Sequence, residues 1–200
     1  NEYFNKLYKT DNEDYIIASD TDSVYINMAP LVKLSGATDK TKIVKALDQF
    51  CSKKLEPFIT KCYDELGNYM NVYENKMVMK REAIADKGIW TAKKRYILNV
   101  HNSEGVQYPE PKLKIMGIEA VKTSTPLPCR DKLKEAFKVI MGGDQKEMKE
   151  FIVNFRRDFE LLPPEDIAFP RSVNGVNKYG DTTSIYKKGT PMHVKGALLY

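Results

Sequence analysis

Asp14-Tyr-Ile-Ile-Ala18, Ser19-Asp20-Thr21-Asp22 and Ser23-Val-Tyr-Ile-Asn27 are two short β-branched and aromatic runs with four polar residues between them. That pattern predicts a tight β-hairpin. Asp20 and Asp22 stand two positions apart, and extended geometry sends such side chains to one face, where their carboxylates converge. Converged carboxylates repel, and a hard, oxygen-seeking cation such as Mg²⁺ offsets that repulsion. Two such ions activate one oxygen and stabilise another during in-line phosphoryl transfer. Spacing alone reads first as a solvated turn, because Asp and Thr are common turn residues. The flanking runs argue for more: they place the hairpin against a core, where paired acids are costly without a purpose.

Outward from the hairpin, Ile43, Leu47, Phe50, Leu55, Phe58, Ile59, Cys62, Leu66 and Tyr69 recur at three- and four-residue steps. This predicts a long helix, capped by Thr38 or Asp39 and kinked or split at Pro57. Strands are expected at Met77–Ala85, at Arg95–Val100 and over Glu110–Ile118, then a linker at Thr125-Pro-Leu-Pro128. Beyond it, Leu133, Ala136, Phe137 and Ile140 form one helical face, closed by Gly142-Gly143. Met148, Phe151, Ile152, Phe155 and Phe159 form another, ended by Pro163-Pro164, and Met192–Leu199 reads as a terminal helix. The layout is α+β: an antiparallel sheet with packed helices, followed by a mainly helical portion.

Apolar residues make up 42% of the 200, enough for a real core. The net charge of +5 permits a nucleic-acid partner without requiring one. Cys51, Cys62 and Cys129 are scattered, with no C-x-x-C pair, as expected of a reduced, intracellular protein. No apolar run approaches the about 20 residues that span a bilayer, so no membrane partner is expected. The sequence opens on Asn1 and stops at Tyr200 within an apolar stretch, which reads as an excerpt of a longer chain.

A second charged feature is Lys93-Lys94-Arg95-Tyr96, three cations beside an aromatic at the expected start of a strand. Alternation sends Lys94 and Tyr96 to one face and Lys93 and Arg95 to the other. Such a cluster neutralises phosphates, and its long side chains reach the minor groove, where readout is nearly sequence-blind. Taken alone, the run also suits a solvated edge strand.

Ile16-Ile-Ala-Ser-Asp20-Thr-Asp22-Ser23-Val-Tyr25 resembles the Y-G-D-T-D-S motif of family B DNA polymerases, with Ala18-Ser19 in place of Tyr-Gly. Trp90-Thr-Ala-Lys-Lys-Arg-Tyr96 resembles that family's K-K-x-Y motif. From Lys76 to Pro126 the chain is similar to the replicative polymerases of T-even-type bacteriophages. Arg81-Glu-Ala-Ile-Ala85, Pro111-Lys-Leu-Lys-Ile-Met-Gly117 and Ser124-Thr-Pro126 are matched in order. Asn177-Lys178-Tyr179 and Gly189–Gly196 look like thumb segments of the same enzymes. The resemblance implies a palm portion at residues 1–117 and a thumb portion at 118–200. It makes Asp22 a direct ligand of two Mg²⁺ ions (Mn²⁺ as a substitute) and Asp20 a nearby acid with a smaller direct role. It places Glu82 and Glu104 near those aspartates. Lys80 stands where those relatives carry an acid. Lys93, Lys94, Arg95 and Tyr96 would contact the primer terminus in the minor groove, and Lys122 the primer backbone. Lys114, Ser124 and Lys178 join them as candidate DNA contacts. Glu82 and Glu104 read equally as structural ion-pair partners or surface acids, and Lys112, Lys114 and Lys122 as solubilising charge.

The implied activity is Mg-dependent, template-directed addition of dNTPs to a primer 3′ end. The implied partners are primer–template DNA, a dNTP, and the rest of a polymerase: exonuclease, fingers and the remaining palm, with a sliding clamp reached through a C-terminus outside this sequence. The implied setting is a bacterial host cytoplasm. The family's other aspartate strand is not in this sequence, so the chain alone is expected not to polymerise. A non-catalytic DNA-binding module and one subunit of a split polymerase are the alternatives. Tyr179-Gly-Asp181-Thr-Thr183-Ser184 resembles the acidic motif with Thr183 for the second Asp, and it reads as a thumb loop. His193 has no H-x-x-x-H partner and reads as packed or phosphate-facing.

Overall fold

The hairpin forms, and its loop is tighter than four residues. In the computed structural model, which describes residues 1–199, β1 (Ile16–Asp20) pairs antiparallel with β2 (Ser23–Ile26) and closes on Asp20↔Ser23. Only Thr21 and Asp22 remain as loop, with Thr21 at φ 50°. The hairpin belongs to the first of two compact units, Asn1–Lys114 and Ile115–Tyr200. The α+β class holds, with the strands in the first unit and helices dominating the second. No helix among the described residues is long and apolar enough to cross a membrane.

In the first unit, α1 (Glu2–Tyr8) precedes the hairpin and α2 (Ala29–Ser35) follows it. Neither was anticipated, though α2 carries ordinary boundary signals: Pro30 in its first turn and Gly36 in the left-handed conformation just past its end. Buried Phe4 of α1 contacts the rings of Tyr8 and Tyr15, so α1 buttresses the start of β1. The long helical pattern is realised as α3 (Lys40–Phe50) and α4 (Glu56–Tyr69). Asp39 caps it, accepting from the Lys42 N–H at 2.7 Å. Pro57 does not split it. Instead, the turn just before, Cys51–Leu55, widens to π-helical form. The proline ring crowds the carbonyl four residues back, and a wider turn relieves that clash while keeping the helical path.

The expected strand at Met77–Ala85 is largely displaced. Residues 76–82 are irregular, and β3 runs Ala83–Ala92. Arg81 explains the shift. Its backbone N–H donates to the Glu56 carboxylate at 3.1 Å, and its guanidinium reaches Asp48 at 2.5 Å. The segment is therefore tied to α3 and α4. β3 pairs antiparallel with β4 (Arg95–Ser103), which also neighbours β5 (Val106–Met116). The centre of the sheet is the core, with Ile97, Leu98 and Val100 buried on β4. Register shifts around Ala85 leave Asp86 and His101 out of the pairing. The Asp86 carboxylate accepts from Asn99 at 2.7 Å and Lys40 at 3.0 Å, and His101 Nε2 lies 3.2 Å away. Burial alone would raise the Asp86 pKa, but these donors outweigh it and hold the group below its usual value.

In the second unit, α5 (Leu127–Gly142) packs against α6 (Gln145–Glu160) and α7 (Pro164–Ile167), and α8 spans Met192–Leu199. Asp144 caps α6, accepting from the N–H groups of Lys146 and Glu147. The stretch expected as a linker is structural: Thr125 is buried, and Leu127-Pro128 form the first turn of α5.

Candidate functional site

Two hairpin ends of the first unit meet. Asp20, half-buried at the end of β1, accepts from the Thr21 hydroxyl at 3.1 Å. Asp22 is exposed at the loop apex. Because Thr21 is left-handed, the extended-strand argument for convergence of the two acids does not apply. They lie at the strand end and in the loop respectively. The basic run is also loop, not strand. Ala92↔Arg95 closes the β3–β4 hairpin, Lys93-Lys94 are the two loop residues, and Lys94 has φ 61°. The expected alternation of Lys93 and Lys94 across a sheet therefore fails. Arg95 and Tyr96 open β4 as expected. Lys94 Nζ lies 3.8 Å from Asp20 Oδ1, which places the basic loop beside the acidic one. Both partners are partly exposed, so this pair contributes little stability.

Behind that ion pair the hairpins are joined by aromatic rings. Tyr25 of β2 meets Trp90 and Tyr96 edge-on, each at 5.4 Å between centroids. Such pairs contribute about 0.5–1.5 kcal/mol beyond the area they bury. The Tyr96 hydroxyl is pushed well above its ordinary pKa, chiefly by burial, then by its hydrogen bond with Tyr25 and the negative charges of Glu82 and Asp20. It therefore stays a neutral hydrogen-bonding group at physiological pH. A cavity of about 210 Å³ opens between the hairpins, floored by Tyr25, Trp90 and Tyr96 and edged by Asp20, Lys93 and Lys94. Tyr25 and Trp90 were not singled out from the sequence. Their signal was present: each lies on a strand next to a charged hairpin loop.

Glu82 and Glu104 meet at the open end of the β3–β4 hairpin, just before β3 and just after β4. The Glu104 N–H donates to the Glu82 carbonyl at 2.7 Å. Arg81 donates to the same carbonyl, and Lys114 forms an ion pair with the Glu82 carboxylate. Glu104-Gly105 is another two-residue loop, with both residues at positive φ. Among the described residues, no three His, Cys, Asp or Glu side chains cluster as a metal shell. The hard oxygens of Asp20 and Asp22 suit Mg²⁺ in kind.

In the second unit, Lys122 pairs with Glu119 at 3.0 Å, and Ser124 and Lys178 are exposed. The Lys178 carbonyl accepts from Lys187 Nζ. The Asp181 carboxylate is engaged within its own loop, accepting from the Thr183 N–H and from the hydroxyls of Thr183 and Ser184. The Thr183 backbone hydrogen bond leads in holding its pKa low. A carboxylate so occupied is that of a self-contained loop. His193 is exposed on α8 and is not a packed residue.

The whole chain is similar to DNA-directed DNA polymerases of bacteriophages. It is 38% identical over an alignment of 211 positions to the DNA-directed DNA polymerase of Enterobacteria phage T4. It is 37% identical over the same length to that of Escherichia phage RB69. The alignments cover 100% of this chain, which spans 23% of the length of each of these curated relatives. No protein-family model matches the chain.

Proposed function

We propose that this chain is the part of a family B phage DNA polymerase that carries the Asp20–Asp22 hairpin and the primer-terminus loop, with a palm portion at 1–117 and a thumb portion at 118–200. The observation that carries the reading is the approach of Lys94 to Asp20 across the cavity, which brings a cation-seeking loop and a phosphate-seeking loop to one place. Asp22, with Asp20 beside it, would hold Mg²⁺, and Glu82 and Glu104 would add negative charge nearby. Bound Mg²⁺ would supply Lewis-acid stabilisation of the phosphoryl oxygens. Lys93, Lys94 and Arg95 neutralise primer phosphates or reach the minor groove, and the neutral Tyr96 hydroxyl offers a hydrogen bond there. Lys114, Lys122, Ser124 and Lys178 serve as further DNA contacts. The substrates are primer–template DNA and a dNTP, and the setting is a bacterial host cytoplasm.

The chain spans 23% of the length of each polymerase relative, and we infer that it does not extend a primer alone and that the remaining polymerase polypeptide completes the site. A labelled-primer assay with Mg²⁺ tests both parts. The isolated chain is expected to bind primer–template DNA, more weakly as Lys93→Met/Lys94→Met, without extending it. Template-dependent extension would overturn the inactivity. Binding that ignores those two lysines would overturn the site.

A further inference from the structure

The C-terminal end of α4 and the segment after it expose large apolar side chains. Tyr69 is 84% exposed, Tyr73 fully so and Val78 75%, with Met70, Val72 and Met77 also exposed among them. Their exposed areas sum to on the order of several hundred Å² within ten consecutive residues, the scale on which exposed apolar surface marks an interaction site.

The backbone that carries them is held in shape. The Val72 N–H donates to the Gly67 carbonyl at 3.0 Å, and Asn75 donates from its side chain to Asp64 at 2.8 Å. Its carboxamide oxygen accepts from the Met77 N–H at 3.0 Å, and Asn71 takes the left-handed conformation that turns the chain off α4. Gly67 gives the fold-back room: a Cβ there would sit a tight 3.1 Å from Val72 Cγ2. A loop fixed by its own hydrogen bonds while its rings face water is preorganised for a partner, since little ordering entropy remains to be lost on docking.

The chemistry of the patch narrows the partner. Lys76 is paired with Glu74 at 3.3 Å, so the surface offers no cluster of spare cations for phosphates. Tyr and Met side chains around aliphatic ones form the core composition of protein–protein interfaces. Met77-Val78-Met79 is also strand-prone sequence, yet no strand of the described residues pairs with it. We propose that Tyr69–Val78 is the docking surface for the remaining polypeptide of the polymerase, which buries Tyr73 and Val78 at its centre. This rests on the reading of the chain as a polymerase portion, and on most of the polymerase lying outside it.

A chimaera tests it: phage T4 polymerase carrying this chain in place of its own matching segment, compared with the isolated chain. Tyr73→Asp and Val78→Asp should leave the melting temperature of the isolated chain unchanged, because both sites face water. In the chimaera each should lower it by about 3 °C or more, while Leu34→Asp, at another exposed apolar position, should not. A chimaera that extends primers and melts unchanged with Tyr73→Asp and Val78→Asp overturns the docking surface alone. A chimaera that folds but extends no primer, or does not fold, overturns the polymerase reading beneath it. Sedimentation of the isolated chain as a Tyr73-dependent dimer would make a second copy the occupant and overturn the partner named here.

Discussion

The Glu104 backbone N–H donates to the Glu82 carbonyl at 2.7 Å, joining two acids that the sequence separates by the whole β3–β4 hairpin. Arg81 fixes the same carbonyl from the helix side. The acids are thus placed by backbone contacts, which a side-chain substitution can leave intact.

Glu104 sits at φ 50° before Gly105 at φ 88°, the geometry that favours Asn-Gly in a two-residue hairpin loop. Glu104→Asn is expected to stabilise the chain by on the order of 0.5 kcal/mol in thermal unfolding. An unchanged or lower midpoint would show that the acid contributes something its backbone does not.

Lys94 is also left-handed, so Lys94→Gly relieves backbone strain and should not destabilise the fold. It should weaken DNA binding and reduce the slope of log K against log[salt] by about 0.9, the share of one phosphate contact. An unaltered slope in fluorescence-anisotropy titrations would remove Lys94 from the interface.

Gly88 lies opposite Leu98 in the sheet, and a Cβ there would come within 2.7 Å of the Trp90 ring and 2.8 Å of Leu98 Cδ2. Gly88→Ala is expected to cost about 1–3 kcal/mol through overpacking. It should also shift the emission of Trp90, the chain's one tryptophan, because the ring must leave its contacts with Tyr25 and Tyr96.

Asp86 titrates below its unfolded value, so the stability it contributes is present above that value and is lost as pH falls through the folded one. Thermal unfolding followed downward from pH 5 should show the wild-type chain losing stability below about pH 4, with Asp86→Asn losing less. Asp86→Asn should also cost about 2 kcal/mol at neutral pH, the scale of a charge-assisted hydrogen bond. Parallel acid profiles for the two proteins would assign the acid sensitivity elsewhere.

The sequence made the β1–β2 hairpin legible because short apolar runs around four polar residues leave few alternatives. The α3–α4 helix was legible because its period runs so long. Loop conformation was harder to read. Thr21 and Lys94 are left-handed without being glycine, so the alternation rule failed at the acidic and basic loops. Met77–Glu82 has the composition of a strand, but Arg81 binds it to Asp48 and Glu56, and such a long-range contact leaves no periodic trace. Tyr25 and Trp90 went unnoticed because their role lies in touching each other across two hairpins.

Three loops of only two residues carry Asp22, Lys93-Lys94 and Glu104, and this sets how the chain can change length. One extra residue in any of them would reverse which way a strand faces, and in the Lys93-Lys94 loop it would also move charge off the cavity. Insertions should therefore be harmful at these three points, while residues 169–174, which precede Lys178 and carry no regular structure, are better placed to absorb them. A fluorophore or affinity tag belongs in that stretch, and a library of loop-length variants would map the site by where it refuses to grow.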